Sequence, residues 1–287
     1  MKKEYMDLMP EWTKEENVRK FDSMITDDLD SLFGQAVMNK KFGTQVSTYY
    51  SFLGLHYNDN SVFKNTFAID CATAGMKTFD NHTTKLSKND TYNVQSANLN
   101  LIDDVSKDNY CMKYNGSSAL LILTMYDILD FSTLNEEQLA FIACIDSYYL
   151  GAYNNYGGVS QKAFQHYLDV MEIRKYYEPL FNAHSESDFK DYIEEHKLKR
   201  KLRIDDKGKL QTDLDLKYIS NLFPMLDFYS VFEKEFPHSY ELQYNVKKFA
   251  YPTYGMTREK LTDEQIFSLA LTRKNEVKYT TKKVGNH

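Results

Sequence analysis

Apolar and polar positions along this chain follow two rhythms in turn. Residues 18–25 (VRKFDSMI) carry a short strand pattern ending on the acidic turn Thr26-Asp27-Asp28-Leu29-Asp30. Over residues 31–41 the spacing changes. Leu32, Phe33, Ala36, Val37 and Met38 recur at helical intervals, with Asp27 or Asp28 placed to cap the helix and Gly43 to end it. Strand patterns return over residues 45–53 and 62–69, the second closing on Asp70, and Thr78-Phe79 runs into Asp80-Asn81-His82. Residues 87–108 are polar, rich in Asn and Asp, and predict a surface excursion. Helical spacing then covers residues 117–129 and 135–148, the latter with an acidic first turn that suits its dipole.

Strands alternating with helices in this way predict an α/β domain over residues 1–155, a mainly parallel sheet flanked by helices. Residues 151–158 (GAYNNYGG) read as a linker. Residues 156–205 form a helical connector, helical over 163–195 with a break expected at Pro179. A basic run, residues 196–203, precedes the turn Asp205-Asp206-Lys207-Gly208. Residues 206–287 are expected to form a smaller α+β C-terminal domain, with a strand over 240–249 broken by Pro252 and Gly255 and a frayed, basic last dozen residues.

Composition changes this picture little. Of the 287 residues, 42% are hydrophobic and 26% charged, as in a soluble globular protein with a sizeable core. A net charge of -6 argues against a protein that coats duplex nucleic acid, but not against an enzyme of short phosphorylated substrates. The aromatic share of 15%, with 23 Tyr and 18 Phe, fits either an AT-rich coding bias or a base-stacking role. Cys71, Cys111 and Cys144 lack paired spacing and read as reduced thiols, which points to a cytoplasmic setting. The N-terminal stretch is polar with mixed charge, unlike a signal peptide, and the longest apolar run, residues 119–123, is too short to span a bilayer, so no membrane partner is expected.

Candidate chemistry lies where the strand patterns end. Asp28 and Asp30, Asp70, and Asp80 each follow a separate strand, and in open α/β sheets functional groups gather at the carboxyl ends of strands. Converging carboxylates repel one another or take up protons unless a cation neutralises them, and hard oxygen donors favour Mg or Mn. Taken singly, each aspartate is equally a turn residue or a helix cap. No histidine and cysteine spacing suggests zinc, and no phosphate-binding glycine loop or nucleophile elbow is present.

In order, the segments Met24-Ile25-Thr26-Asp27-Asp28-Leu29-Asp30, Ala68-Ile69-Asp70-Cys71, Phe79-Asp80-Asn81-His82, Asn115-Gly116-Ser117-Ser118 and Ala143-Cys144-Ile145-Asp146-Ser147 resemble the DHH phosphoesterase superfamily. That superfamily includes RecJ-type exonucleases, nanoRNA and cyclic-dinucleotide phosphodiesterases and manganese pyrophosphatases. The resemblance spans residues 18–150. It implies a DHH-like domain in which Asp28 binds one metal and Asp30 the other, Asp70 bridges them and Asp146, a direct ligand, completes the ligand set of the second ion. Asp80 would orient its neighbours, and His82 would contact the substrate phosphate. The implied cofactors are two Mn or Mg ions that activate water on a short single-stranded oligonucleotide or small nucleotide, in an assembly compatible with a homodimer.

Two positions and one missing motif depart from the family pattern. Asn81 stands where the middle histidine, a metal ligand, is usual. This leaves open an altered metal preference with Asn81 as ligand, a shift of His82 into the shell, or a catalytically impaired protein that binds a nucleotide or a protein partner. Met24 replaces the histidine of the pyrophosphatases, and residues 160–287 contain no GGGH-like motif. Within the basic run, Lys199, Arg200 and Arg203 are the candidates to take over phosphate binding, against the alternative of a solvated helix end. Tyr240, Tyr244, Tyr251 and Tyr254 are candidates to stack bases, against ordinary packing.

Overall fold

The computed structural model of the chain describes residues 1–61, 63–153, 157–250 and 253–282. Its architecture is α/β, built on one large sheet. Five strands run parallel: β1 (Asp22–Ile25), β2 (Val46–Ser51), β4 (Thr66–Ile69), β5 (Lys77–Phe79) and β6 (Ser96–Ala97). The sheet is mixed rather than mainly parallel. β3 (Gly54–Tyr57) turns back antiparallel on β2, and β9 (His238–Lys248), β10 (Ile266–Arg273) and β11 (Glu276–Lys282) continue it antiparallel, in the order β10-β11-β9-β3-β2-β1-β4-β5-β6. A separate hairpin, β7 (Leu202–Ile204) with β8 (Leu210–Thr212), is closed by the turn expected at Asp205 to Gly208.

Alternation along the strands decides what covers each face. Ile25, Tyr49, Phe67 and Ile69 point into the large core shared with the helices Leu29–Phe42 and Ser118–Tyr126. Their neighbours Met24, Tyr50 and Ala68 face the other way, where they pack with Leu55, Cys71 and Leu242. Among the described residues no helix contributes to the cluster on this second face. The C-terminal strands curl over it, and β10 reaches back to the β4–β5 crossover: the Ala74 amide donates to the Phe267 carbonyl at 2.8 Å and that of Leu269 to Ala72 at 2.9 Å. Tyr50 ties the layers together, its hydroxyl 2.7 Å from Ser268 Oγ. The strands of the C-terminal segment thus extend and cap the sheet begun by the N-terminal one. Residues 276–282, expected to fray, form an ordered strand because each is paired to β9.

The helical stretch 163–195 resolves into three helices, Val159–Val170, Arg174–Ala183 and Glu186–Glu195. Pro179 lies inside the second instead of breaking it. Pro179 and Lys175, four residues earlier, are both on the exposed face, so the carbonyl freed by the missing N–H can turn to solvent. The breaks fall where Glu172 adopts φ 59° and where Ser185 starts a new capping box. Among the described residues no helix is long and apolar enough to cross a membrane.

Candidate active site

The helix expected from residue 31 starts two residues earlier, at Leu29, and runs to Phe42, ended by Gly43 at φ 71°. Asp28 is its N-cap, accepting from the Ser31 amide at 3.5 Å. Asp28 and Asp30 therefore flank the first helical residue rather than sharing one side of an extended turn, yet both line the same pocket. Asp30 is buried and faces the start of the Ser118–Tyr126 helix. One oxygen accepts from the Ser118 amide at 2.8 Å and the other from Ala119 at 2.7 Å, as an anion at a helix N-terminus should.

Asp70 ends β4 in the left-handed region, φ 57°, a strained position for a residue other than glycine. Among the described residues its oxygens receive only long hydrogen bonds, 3.3 Å from Ser118 Oγ and 3.5 Å from Thr26 Oγ1. Beyond β5, Asp80 is fully buried and holds His82, Nδ1 to Oδ1 at 2.7 Å, while Asn98 donates to its other oxygen at 3.1 Å. That bond occupies Nδ1 of the imidazole and leaves Nε2 as the available atom. His82 Nδ1 is also 3.8 Å from Asp70. Asp70, Asp80 and His82 have donor atoms all within 4.8 Å of one another.

Asp146 does not lie inside a helix. It sits in the break between Glu136–Cys144 and the next helix, Tyr148–Tyr153. Asn81 donates from Nδ2 both to Asp146 Oδ2, at 2.9 Å, and to the Gly116 carbonyl, at 2.7 Å. Exchanging its oxygen and nitrogen would set the oxygen against two acceptors, so the assignment is fixed by its neighbours. Asn81 Oδ1 is buried with no donor among the described residues, so the amide turns its nitrogen, not its ligand atom, toward Asp146. Gly116 itself is required, since a Cβ there would meet the Tyr114 ring at 2.4–2.7 Å.

Asp28, Asp30, Asp70, His82 and Asp146 thus line one pocket of about 230 Å³, closed by Leu198, Lys199 and Lys201. Lys199 Nζ donates to the Asp146 carbonyl at 2.9 Å. Lys201, which the sequence did not single out, bonds Asp27 at 2.9 Å and Asp28 at 3.2 Å. Arg200 is exposed and does not line the pocket, and Arg203 is engaged by Asp213 at 2.8 Å on the hairpin. None of the described tyrosines proposed for stacking, Tyr240, Tyr244 and Tyr254, lines it either. Tyr244 packs on Phe52, Tyr254 is exposed, and Tyr251 lies outside the described residues.

Crowding sets the electrostatics. Burial, then Asp28 and Asp146, push the Asp30 carboxyl up to about 8 despite its two amide bonds. Asp70 is raised well above the usual range by burial and by Asp30, Asp28, Asp146 and Asp80. Burial also raises Asp146, opposed by Lys199, Lys113 and His82. For His82 burial works downward but the Asp80 carboxylate outweighs it, so the imidazole is more basic than usual. Lys201 is likewise raised, burial being overcome by Asp28 and Asp27. A pocket that forces carboxylates to hold protons near neutrality is one that a cation would relieve. No family model, curated protein or solved structure matches the chain.

Proposed function

We propose that the chain is a metal-dependent phosphoester hydrolase of the DHH type, acting on short single-stranded oligonucleotides or small nucleotides. The observation carrying this reading is that Asp28, Asp30, Asp70, His82 and Asp146, from segments spread over more than a hundred residues, line one pocket at the ends of β1 and β4. Their order along the chain is that of the DHH superfamily.

The donor set suits a hard divalent ion, Mn or Mg, held by Asp70 with the free faces of Asp30 and Asp146. When bound, such an ion would lower the pKa of a water, orient it and offset charge on the phosphoryl oxygens. Asp80 keeps the His82 ring fixed and basic, suited to a phosphate oxygen. Lys199 and Lys201 supply positive charge in the same pocket, where a phosphodiester would need it. For a second ion the fit is poorer. Asp28 is already paired with Lys201, and Asp146 with the Asn81 amide, so the protein's own donors stand where further charge would sit. This occupancy favours a second reading, a DHH-like protein that binds a nucleotide or a protein partner without turnover.

Incubation with Mn or Mg and a panel of dinucleotides, cyclic dinucleotides and short single strands separates the two. Metal-dependent release of mononucleotide, abolished in Asp70→Asn, is the expected result. Nucleotide binding with no hydrolysis under any metal would replace the first reading with the second. Asparagine is the informative substitute because it tolerates the left-handed backbone of Asp70, which alanine does not.

A further inference from the structure

The chain carries a larger cleft that shares no lining residue with the acidic pocket. It measures about 740 Å³ and opens where the parallel strands begin: Phe63 leads into β4, Met76 into β5, and Tyr57 lies opposite Thr48 near the start of β2. Its apolar wall also includes Leu55, Ile266 and Phe267, the last stacked on Tyr50 at 5.5 Å between ring centroids. A volume of this size with a mostly apolar lining and a few polar groups is what drug-sized ligands occupy.

Arg258 provides the polar end. Its side chain is 12% exposed and its charge faces Asp90 across 4.0 Å, beyond hydrogen-bond reach. Asp90 has turned to the backbone instead, accepting from the amides of Leu86 (2.8 Å), Thr91 (3.0 Å) and Arg258 itself (3.0 Å). The guanidinium donates from Nη2 to the Thr84 carbonyl at 3.2 Å, and its Nε is buried with no acceptor among the described residues. A group with five N–H donors stands under-coordinated in the wall of an apolar cleft. Burial pulls the Arg258 pKa down, as expected of a cation short of compensation. Lys282 lines the same cleft, while Glu259 and Glu264 stand exposed at its rim and disfavour a multiply charged anion.

We propose that this cleft is a binding site for a small aromatic monoanion, a planar apolar body with one carboxylate, sulfonate or phosphodiester, seated against Phe267 with its anionic group toward Arg258. The body replaces water on the apolar wall, and the anion supplies the acceptor that Asp90 withholds. A charge-assisted hydrogen bond in such a site accounts for roughly a ten-fold difference in affinity or more.

The test uses the full chain and anilinonaphthalene sulfonate, an aromatic monoanion whose emission rises on apolar binding. Fluorescence titration of the folded protein should saturate at one probe per chain. Arg258→Met should weaken it about ten-fold, while uncharged phenylnaphthylamine binds wild type and variant alike. Because Arg258 also contacts the Thr84 and Asp90 segments, a second variant guards against misfolding. Gly75 lines the cleft and a Cβ there meets nothing within 4 Å, so Gly75→Trp should fill the space and abolish binding with the melting temperature unchanged. Asp70→Asn should leave the probe's affinity as it is. Absence of saturable binding to the folded wild type, or equal affinity in wild type and Gly75→Trp, would overturn the proposal. Equal loss of both probes in Arg258→Met would remove the assignment of the anion to Arg258.

Discussion

The two cavities of this protein solve opposite problems. At the carboxyl ends of β1 and β4, buried acids crowd together, and the chain answers with its own donors: backbone amides for Asp30, Asn81 for Asp146, Lys201 for Asp28. At the other end of the same strands, the cleft buries a cation whose nearest acid, Asp90, is spent on backbone amides. One site has charge in excess of its neutralising partners and calls for a cation. The other lacks an acceptor and calls for an anion. The comparison teaches that burial alone does not mark a functional group. What marks it is a shortfall of partners that a ligand of definite sign would make good.

The largest expected effect breaks the acidic pocket and leaves the cleft alone. Asp70→Asn should lower metal-dependent hydrolysis by about a thousand-fold in a single-turnover assay. A residual rate near wild type would mean Asp70 is only a strand-end residue. Next, the self-satisfaction of the pocket can be loosened. Lys201→Met frees Asp28 and Asn81→His replaces an amide donor with an imidazole, so each should tighten Mn binding by roughly 10–100-fold in calorimetric titration. Unchanged affinity in both would show that these contacts do not compete with the ion.

A smaller effect concerns acidity. Folding raises the Asp30 carboxyl from 3.8 to about 8 and moves Asp70 and Asp146 the same way. A carboxyl raised in the folded state favours folding while protonated, and that advantage is lost as pH climbs from the unfolded value toward the folded one. His82, also raised, contributes with the same sign above its usual range. The metal-free protein should therefore melt several degrees lower at about pH 8 than at about pH 5, and Mn should reverse the loss at the higher pH. A melting temperature that rises with pH in the absence of metal would contradict this account. Smallest of all, Gly43→Ala should cost about 1 kcal/mol through its left-handed backbone, with no atom in its way and neither cavity altered. A change in Mn or probe binding in that variant would mean the two sites are sensitive to any loss of stability.

Much of the acidic pocket was legible in the chain because it is written locally. The Asp28 cap, the helix after it and the Gly43 stop follow from short-range patterns, and strand ends place Asp70 and Asp80 by direction alone. Lys201 was not legible. Within the basic run it looks like Arg200, and long-range bonds such as that from the Leu202 amide to the Asp27 carbonyl, 2.7 Å, set it beside the acids. Buried Leu198 and Leu202, which bracket the charges, were the available hint that the run is pinned rather than solvated. The cleft was invisible for a similar reason: it exists because β10 and β11 curl back over the sheet. That pairing joins residues about two hundred positions apart, through strands whose charged ends resemble a fraying terminus.

The central claim is that the aspartate pocket exists to hold a divalent cation. Equilibrium dialysis against Mn at about pH 8, followed by elemental analysis, tests it most directly. The account predicts at least one bound Mn per wild-type chain and none retained at that position in Asp70→Asn. A wild-type protein that binds no Mn, or a variant that binds as much as wild type, would contradict it.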